Sequence, residues 1–153
     1  MKKGIFTILT NEALTSSVYR MTLEGDTSAI TAPGQFVNIQ LSGKFLRRPI
    51  SVCDWEEGKL TLVYKVVGQG TAQMAAMAPG ERLDILTGLG NGYDLSIVGE
   101  APLLVGGGVG VPPMYGLAKK LRALGKKVQV ILGFNTSGEI FYEAEFRALG
   151  CTV

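Results

Sequence analysis

The chain has 153 residues, 46% of them hydrophobic, and a formal net charge of only +2. That is long enough to bury a substantial core, too apolar for disorder, and too weakly and diffusely basic to signal a nucleic-acid partner. There is no histidine and there are two cysteines, Cys53 and Cys151. This excludes Ser/His/Asp and Cys/His catalysis, histidine-ligated metals, and any four-cysteine metal site built from these residues alone. Twenty-one glycines are about twice the usual ~7% and point to backbone brought close to a ligand. The chemistry is expected to come from a borrowed cofactor.

At the start, Thr7, Thr10, Asn11 and Glu12 interrupt any signal-peptide core, and nowhere does an apolar run approach the ~18 residues of a membrane span. A cytoplasmic protein with two reduced, inert thiols is expected. Six segments then read as strands: 6–10, 17–23, 35–41, 48–53, 59–67 and 82–87. They are short, rich in Val, Ile, Thr, Tyr and Phe, and separated by turn signals such as Ala32-Pro33-Gly34 and Ala78-Pro79-Gly80. Their number and spacing predict a six-stranded antiparallel barrel over residues 1–98. Between the last two strands, 71–77 is rich in Ala and Met and predicts a short helix with Thr71 as N-cap after Gly68-Gln69-Gly70. Such a helix start suits a phosphate, although the glycines would equally serve a simple turn.

After Gly99 the pattern changes to strand, helix, strand, helix. Residues 101–105 read as a buried parallel strand that runs into Gly106-Gly107-Gly108-Val109-Gly110-Val111-Pro112-Pro113. Helical spacing of Met114, Leu117, Ala118, Leu121 and Leu124 follows, with Gly125 as its stop. A second strand over 128–134, a helix over 140–149 and the start of a third strand at Cys151 complete the pattern. Residues 99–153 thus read as the first half of a doubly wound nucleotide-binding α/β domain, truncated at its third strand.

The glycine run is not the dinucleotide fingerprint G-x-G-x-x-G, because position 111 is valine. Its glycines would let backbone approach a ligand, or would simply permit close packing at a strand-to-helix turn, and the prolines suit a first helical turn. In Arg47-Arg48-Pro49-Ile50-Ser51, strand alternation puts Arg48 and Ile50 on one face and Pro49 and Ser51 on the other. A guanidinium fork suits a pyrophosphate. The same pattern also fits a solvated edge strand marked by proline. Met74 and Met77 read as core, Glu139, Glu143 and Glu145 as a solvated helix face, and Asn135 and Thr136 as candidates for touching a nucleotide at the sheet edge.

Five segments in order carry a resemblance: Pro33-Gly34-Gln35-Phe36, Arg48-Pro49-Ile50-Ser51, Val63-Tyr64-Lys65, Gly70-Thr71, and Gly107-Gly108-Val109-Gly110-Val111-Pro112-Pro113. Together they resemble the ferredoxin reductase family of flavoproteins, and within it most closely the electron transfer subunits of bacterial NAD-dependent dihydroorotate dehydrogenases. The resemblance implies FAD between barrel and nucleotide half, its pyrophosphate held by Arg48 and the Gly70-Thr71 helix start. It implies Ser51 beside flavin N5, Pro49 and Ile50 as a wall, Tyr64 stacking, Lys65 acting by charge, and Val63 in contact. Gly107, Gly108, Gly110 and Pro113 would receive NAD. None of these residues is a catalytic acid or base. The implied partner is a catalytic dihydroorotate dehydrogenase subunit in a hetero-oligomer serving pyrimidine biosynthesis. Such subunits also carry a [2Fe-2S] centre on four C-terminal cysteines, which this sequence lacks. Two alternatives stand beside this reading. One is another family subunit, of the ferredoxin-NAD(P) reductase, sulfide dehydrogenase or hydrogenase gamma kind. The other is a non-catalytic docking module.

Overall fold

The computed structural model describes residues 1–153. Six strands, β1 (Lys2–Ala13), β2 (Val18–Glu24), β3 (Phe36–Gln40), β4 (Arg48–Glu56), β5 (Lys59–Lys65) and β6 (Arg82–Leu89), close into an antiparallel barrel in the order β1-β2-β5-β4-β3-β6. Closure comes from the first strand, whose Lys2 to Thr7 pair with Thr87 to Arg82 of β6. The first strand is longer than its apolar stretch because its ends are polar and exposed, yet still laddered. Inside, Phe6, Ile8, Met21, Leu23, Val37, Ile39, Leu60, Leu62 and Ile85 are buried on alternate positions, as a half-buried sheet requires.

One end of the barrel is plugged by α1 (Gln69–Ala75), whose Met74 is fully buried in the core. Asn11 ties this helix down, donating from Nδ2 to the carbonyls of Met74 (2.8 Å) and Met77 (2.9 Å). Gly68, not Thr71, is the N-cap. Thr71 sits one turn in, and its hydroxyl accepts from the N–H groups of Val67 (2.9 Å) and Gly68 (3.3 Å). Its side chain therefore fastens the helix start from the inside.

The second half contains β7 (Leu103–Gly107) and β8 (Gln129–Gly133), paired in parallel, with α2 (Pro112–Ala123) between them and α3 (Glu143–Ala148) after them. A single parallel bridge from Gln129 to Thr152 begins a third strand. Two expectations shift here. The β7 strand takes in Gly106 and Gly107, since glycine accepts extended backbone as readily as any other. The last helix begins at Glu143, because Phe141 and Tyr142 are pulled into the core and Tyr142 takes a left-handed φ of 68°. The parallel strands are also only half covered: α2 shields one face, while Leu103, Val105 and Ile131 are more than half exposed on the other.

The two halves share a second core. Cys53, Val18 and Val63 on the outside of the barrel pack with Val111, Met114, Leu117, Phe141, Tyr142 and Phe146. Alternation turns Cys53 to this core, and the strand is bulged there: Val52 pairs with Leu62 and Asp54 with Thr61, leaving Cys53 as the extra residue. Over it lies Gly116 of α2, where an added Cβ would stand 2.9 Å from the Cys53 carbonyl oxygen. Lys119 and Asp54 flank the contact with an ion pair at 2.9 Å.

Two predictions follow from this packing. Gly116→Val forces α2 off β4 and should cost about 1–3 kcal/mol of stability, read as a lower urea midpoint at unchanged slope. Burial pushes the Cys53 thiol from its ordinary value of 9.0 to about 12, and the Tyr64 phenol up to about 12. Both keep their protons in the folded state at a pH where the unfolded chain has lost them, so stability falls as pH rises from about 9 towards 12. Cys53 alone contributes a slope of about 1.4 kcal/mol per pH unit, measurable as a falling urea midpoint. A midpoint flat from pH 8 to 11 would contradict this.

Candidate cofactor and nucleotide site

The bulge at Cys53 has a second effect. Ladder pairing of β4 with β5 runs only from Glu56–Lys59 up to Val52–Leu62 and then stops. Upstream, Pro49, Ile50 and Ser51 pair on one side only, with Asn38, Val37 and Phe36 of β3. Downstream, Val63, Tyr64 and Lys65 pair on one side only, with Arg20, Tyr19 and Val18 of β2. The facing edges of these two motif segments thus carry backbone groups that no strand satisfies. Pro49 lies at this one-sided stretch of an otherwise interior strand, which is where a strand tolerates a residue without an N–H. Ser51 Oγ makes no hydrogen bond within the chain, and Pro49 is exposed. Ile50 departs from the expected wall, since it packs inward against the barrel core and is only partly exposed.

The two adjacent arginines separate cleanly. Arg47 is a structural brace on the barrel exterior, bonded to the carbonyls of Asn38 (3.3 Å) and Asp84 (3.2 Å) and paired with the Asp84 carboxylate at 2.9 Å. Burial alone would raise the Asp84 pKa, but the bonds from Arg47 and Lys3 outweigh it and hold the carboxyl below its usual range. Arg48 has no acidic partner, and its guanidinium donates to the Leu46 carbonyl. It lies over the start of α1: a Cβ on Gly70 would overlap Arg48 Nε and stand 3.0 Å from Cζ. Here the fold brings together two of the sequence-derived site segments, a free guanidinium and a helix start whose first N–H groups lack helical acceptors.

At the other end of the gap lies a cleft of about 500 Å³ between the barrel, represented by Val18 and Lys65, and the C-terminal ends of β7 and β8, represented by Gly107, Gly108, Gly133 and Asn135. The glycines of the turn differ in what requires them. Gly106 serves packing, because a Cβ there would meet Met114 Sδ at 2.6 Å. Gly108 serves the backbone, with φ of +52°. Gly107 has ordinary extended angles, φ −124° and ψ 136°, and a Cβ on it would meet nothing closer than 3.7 Å; at Gly110 a Cβ would meet nothing at all. Nothing within the chain requires glycine at Gly107 or Gly110. Val111 precedes Pro112 and Pro113, which form the first turn of α2. Pro113 is half-buried there.

Tyr64 is the clearest departure from expectation. Its ring lies inside the barrel at 2% exposure, stacked on Tyr19 with centroids 6.0 Å apart, and its hydroxyl donates to Asn11 Oδ1 at 2.8 Å. The ring is unavailable for stacking on a ligand, so Tyr64 can contribute only its main chain. Glu139 departs in the opposite sense. Far from a solvated helix face, it ends a short 3-10 turn (Ser137–Glu139), lines the cleft, and faces Lys65 across it at 3.9 Å. Val18 and Phe141 also line the cleft and were not singled out by sequence. No group of three or more metal-ligating side chains occurs, and Cys53 and Cys151 are both buried and unpaired. The residues present do not fit an iron–sulfur centre. No helix is long and apolar enough to cross a membrane.

No family model matches the chain. It is 42% identical over 160 residues to the dihydroorotate dehydrogenase B (NAD(+)) electron transfer subunit of Bacillus pumilus, and 43% identical over 160 residues to that of Fusobacterium nucleatum; each alignment takes in 99% of this chain and 62% of the relative. The chain therefore spans about three fifths of the length of these curated relatives. Among solved structures, an NADH-dependent reduced ferredoxin-NADP oxidoreductase superposes with a TM-score of 0.84 at 30% identity, over 96% of this chain and 54% of the other. The ferredoxin reductase of carbazole 1,9a-dioxygenase superposes with a TM-score of 0.84 at 22% identity, over 95% and 46% of the two chains, and so shares the fold. Closed barrel, parallel strand pair and similarity over nearly the whole chain agree: the chain has the ferredoxin reductase-like fold and is similar along its length to dihydroorotate dehydrogenase B electron transfer subunits.

Proposed function

We propose that this chain is the flavin- and nicotinamide-binding part of an electron transfer subunit that passes electrons between a partner dihydroorotate dehydrogenase and NAD through FAD. The observation that carries the reading is the gap between β4 and β5. Its two free edges are the Arg48–Ser51 and Val63–Lys65 segments, and one end opens onto a glycine turn with room for a ligand. In this reading residues 1–98 hold FAD and residues 99–153 receive NAD. Arg48 and the N–H groups at Gly70 and Thr71 take the pyrophosphate. Ser51, whose hydroxyl has no partner in the chain, bonds the flavin edge, and the main chain of Val63 and Tyr64 meets its other side. Gly107, Gly108 and Gly110 let the nicotinamide nucleotide lie against the backbone, with Pro113 fixing the helix behind it.

When bound, FAD supplies a two-electron carrier that exchanges hydride with a nicotinamide ring. The chain's own task is to bind, orient and shield. A lack of histidine is compatible with that task. The partner oxidises dihydroorotate to orotate, and the complex is a hetero-oligomer. The 30% identity with an NADH-dependent reduced ferredoxin-NADP oxidoreductase supports a second reading, the same flavin site serving a ferredoxin-type partner. Copurification with a dihydroorotate-oxidising subunit or with a ferredoxin separates the two.

Two measurements test the site. The chain mixed with FAD and desalted should retain flavin absorbance, and Arg48→Ala should weaken FAD binding about ten- to a hundredfold, the loss of a charge-assisted bidentate contact. A wild-type chain that retains no FAD would overturn the reading. Gly107→Val should leave FAD binding and the urea midpoint unchanged while weakening NADH binding at least tenfold, since the new side chain fills the cleft and nothing else. Equal NADH affinity in the two proteins would remove the turn from the site.

A further inference from the structure

The cleft between the barrel and the parallel strands is lined by only two ionisable side chains, Lys65 and Glu139. They come from opposite walls. Lys65 ends β5, where the next residue is pinned by a bond from Val66 N–H to the Ser17 carbonyl at 2.8 Å. Glu139 ends the turn after β8, held by its own N–H to the Thr136 carbonyl (3.1 Å) and by the Thr136 hydroxyl, which donates to Glu139 Oε2 at 2.9 Å. With one carboxylate oxygen occupied by Thr136, the other faces Lys65 Nζ at 3.9 Å. The side chains are 39% and 32% exposed, and a pair this open and this long contributes little to stability. Something other than folding has to account for placing an anion opposite the one cation of the cleft.

We propose that Glu139 is a positioning residue: it holds and partly neutralises Lys65, and so sets the charge that the cleft presents to the bound flavin and with it the reduction potential. The inference rests on the proposed function. Hydride transfer breaks the C4–H bond of a reduced nicotinamide and forms an N–H bond on the flavin. Two electrons and one proton move together, leaving the nicotinamide one charge more positive and the flavin one charge more negative. A lysine beside the flavin favours that added negative charge, and a carboxylate 3.9 Å from the lysine opposes it. Together they leave the cleft neutral. Separately, each would pull the potential in its own direction.

The test uses the FAD-loaded chain in four forms: wild type, Glu139→Gln, Lys65→Met and the double variant, each titrated against redox dyes. Glu139→Gln keeps the shape and the bond from Thr136, and should shift the ratio of reduced to oxidised flavin three- to tenfold upwards at fixed potential, about 15–30 mV for a two-electron couple. Lys65→Met should shift it downwards by a similar factor, and the double variant should return close to wild type. Glu139→Asp, which keeps the charge, should stay near wild type, and all shifts should shrink as ionic strength rises. Urea midpoints of the flavin-free proteins should not change. Potentials that do not move, or single variants that move in the same direction, overturn the inference while leaving FAD binding intact. A wild-type chain that takes up no FAD overturns the proposed function and this inference with it.

Discussion

Strand β4 serves two cores that lie on opposite sides of it. Strict alternation sends every second side chain into the barrel and the others outward. Val52 accordingly faces the barrel core and its neighbour Cys53 the second core beneath α2, at the point where the register with β5 shifts. The Gly116 contact on the Cys53 carbonyl then sets how closely α2 can approach. Because α2 begins directly after the glycine turn, that contact also sets where the turn stands relative to the barrel. The ladder between β4 and β5 ends beside this same bulge, so the gap, the seat of the helix and the approach of the turn meet at one place on the strand.

The charges follow a similar division of labour. Arg47, just before β4, joins Lys3 of β1 and Asp84 of β6 in a closed group that also takes in the Asn38 carbonyl of β3 and is consumed by the barrel. Arg48, one residue on, faces the opposite way and meets no carboxylate. Alternation alone gives adjacent arginines opposite faces; the positions of Asp84 and α1 determine which of them is braced and which is left for an anion. In the cleft, Lys65 is neither braced nor free. Glu139 approaches it without reaching ordinary hydrogen-bond distance, which leaves the ammonium within reach of a ligand.

Much of this was legible in the sequence. Six short apolar segments bounded by glycine and proline are enough to specify the barrel, and the change of pattern after Gly99 is enough to place the parallel strands. The segments that line the gap were also found, because local motifs carried them. What could not be read depended on contacts distant in sequence. A stacking role for Tyr64 was implied by the resemblance alone, and the direction of its ring is decided by pairing with Tyr19 on β2 and by Asn11 on β1. The helix start moved from 140 to Glu143 because Phe141 and Tyr142 are drawn into a core whose other half lies on the barrel, at the cost of a left-handed tyrosine. Glu139 was hidden for the same reason: it matters through Lys65, 74 residues earlier. No local spacing reports such a pair.

The glycine count admits a finer account than an excess over average. Ten glycines have positive φ, among them Gly108 in the turn and Gly88 within β6. Gly106, Gly116 and Gly70 serve close approach, to Met114, to the Cys53 carbonyl and to Arg48. Gly107 and Gly110 serve neither purpose: their surroundings would accept a Cβ, and the space beside Gly107 belongs to the cleft. A chain with no histidine and two buried thiols has few groups of its own with which to do chemistry near neutral pH. What it presents along the gap and the cleft is bare backbone, a guanidinium with no acidic partner and a lysine 3.9 Å from a carboxylate.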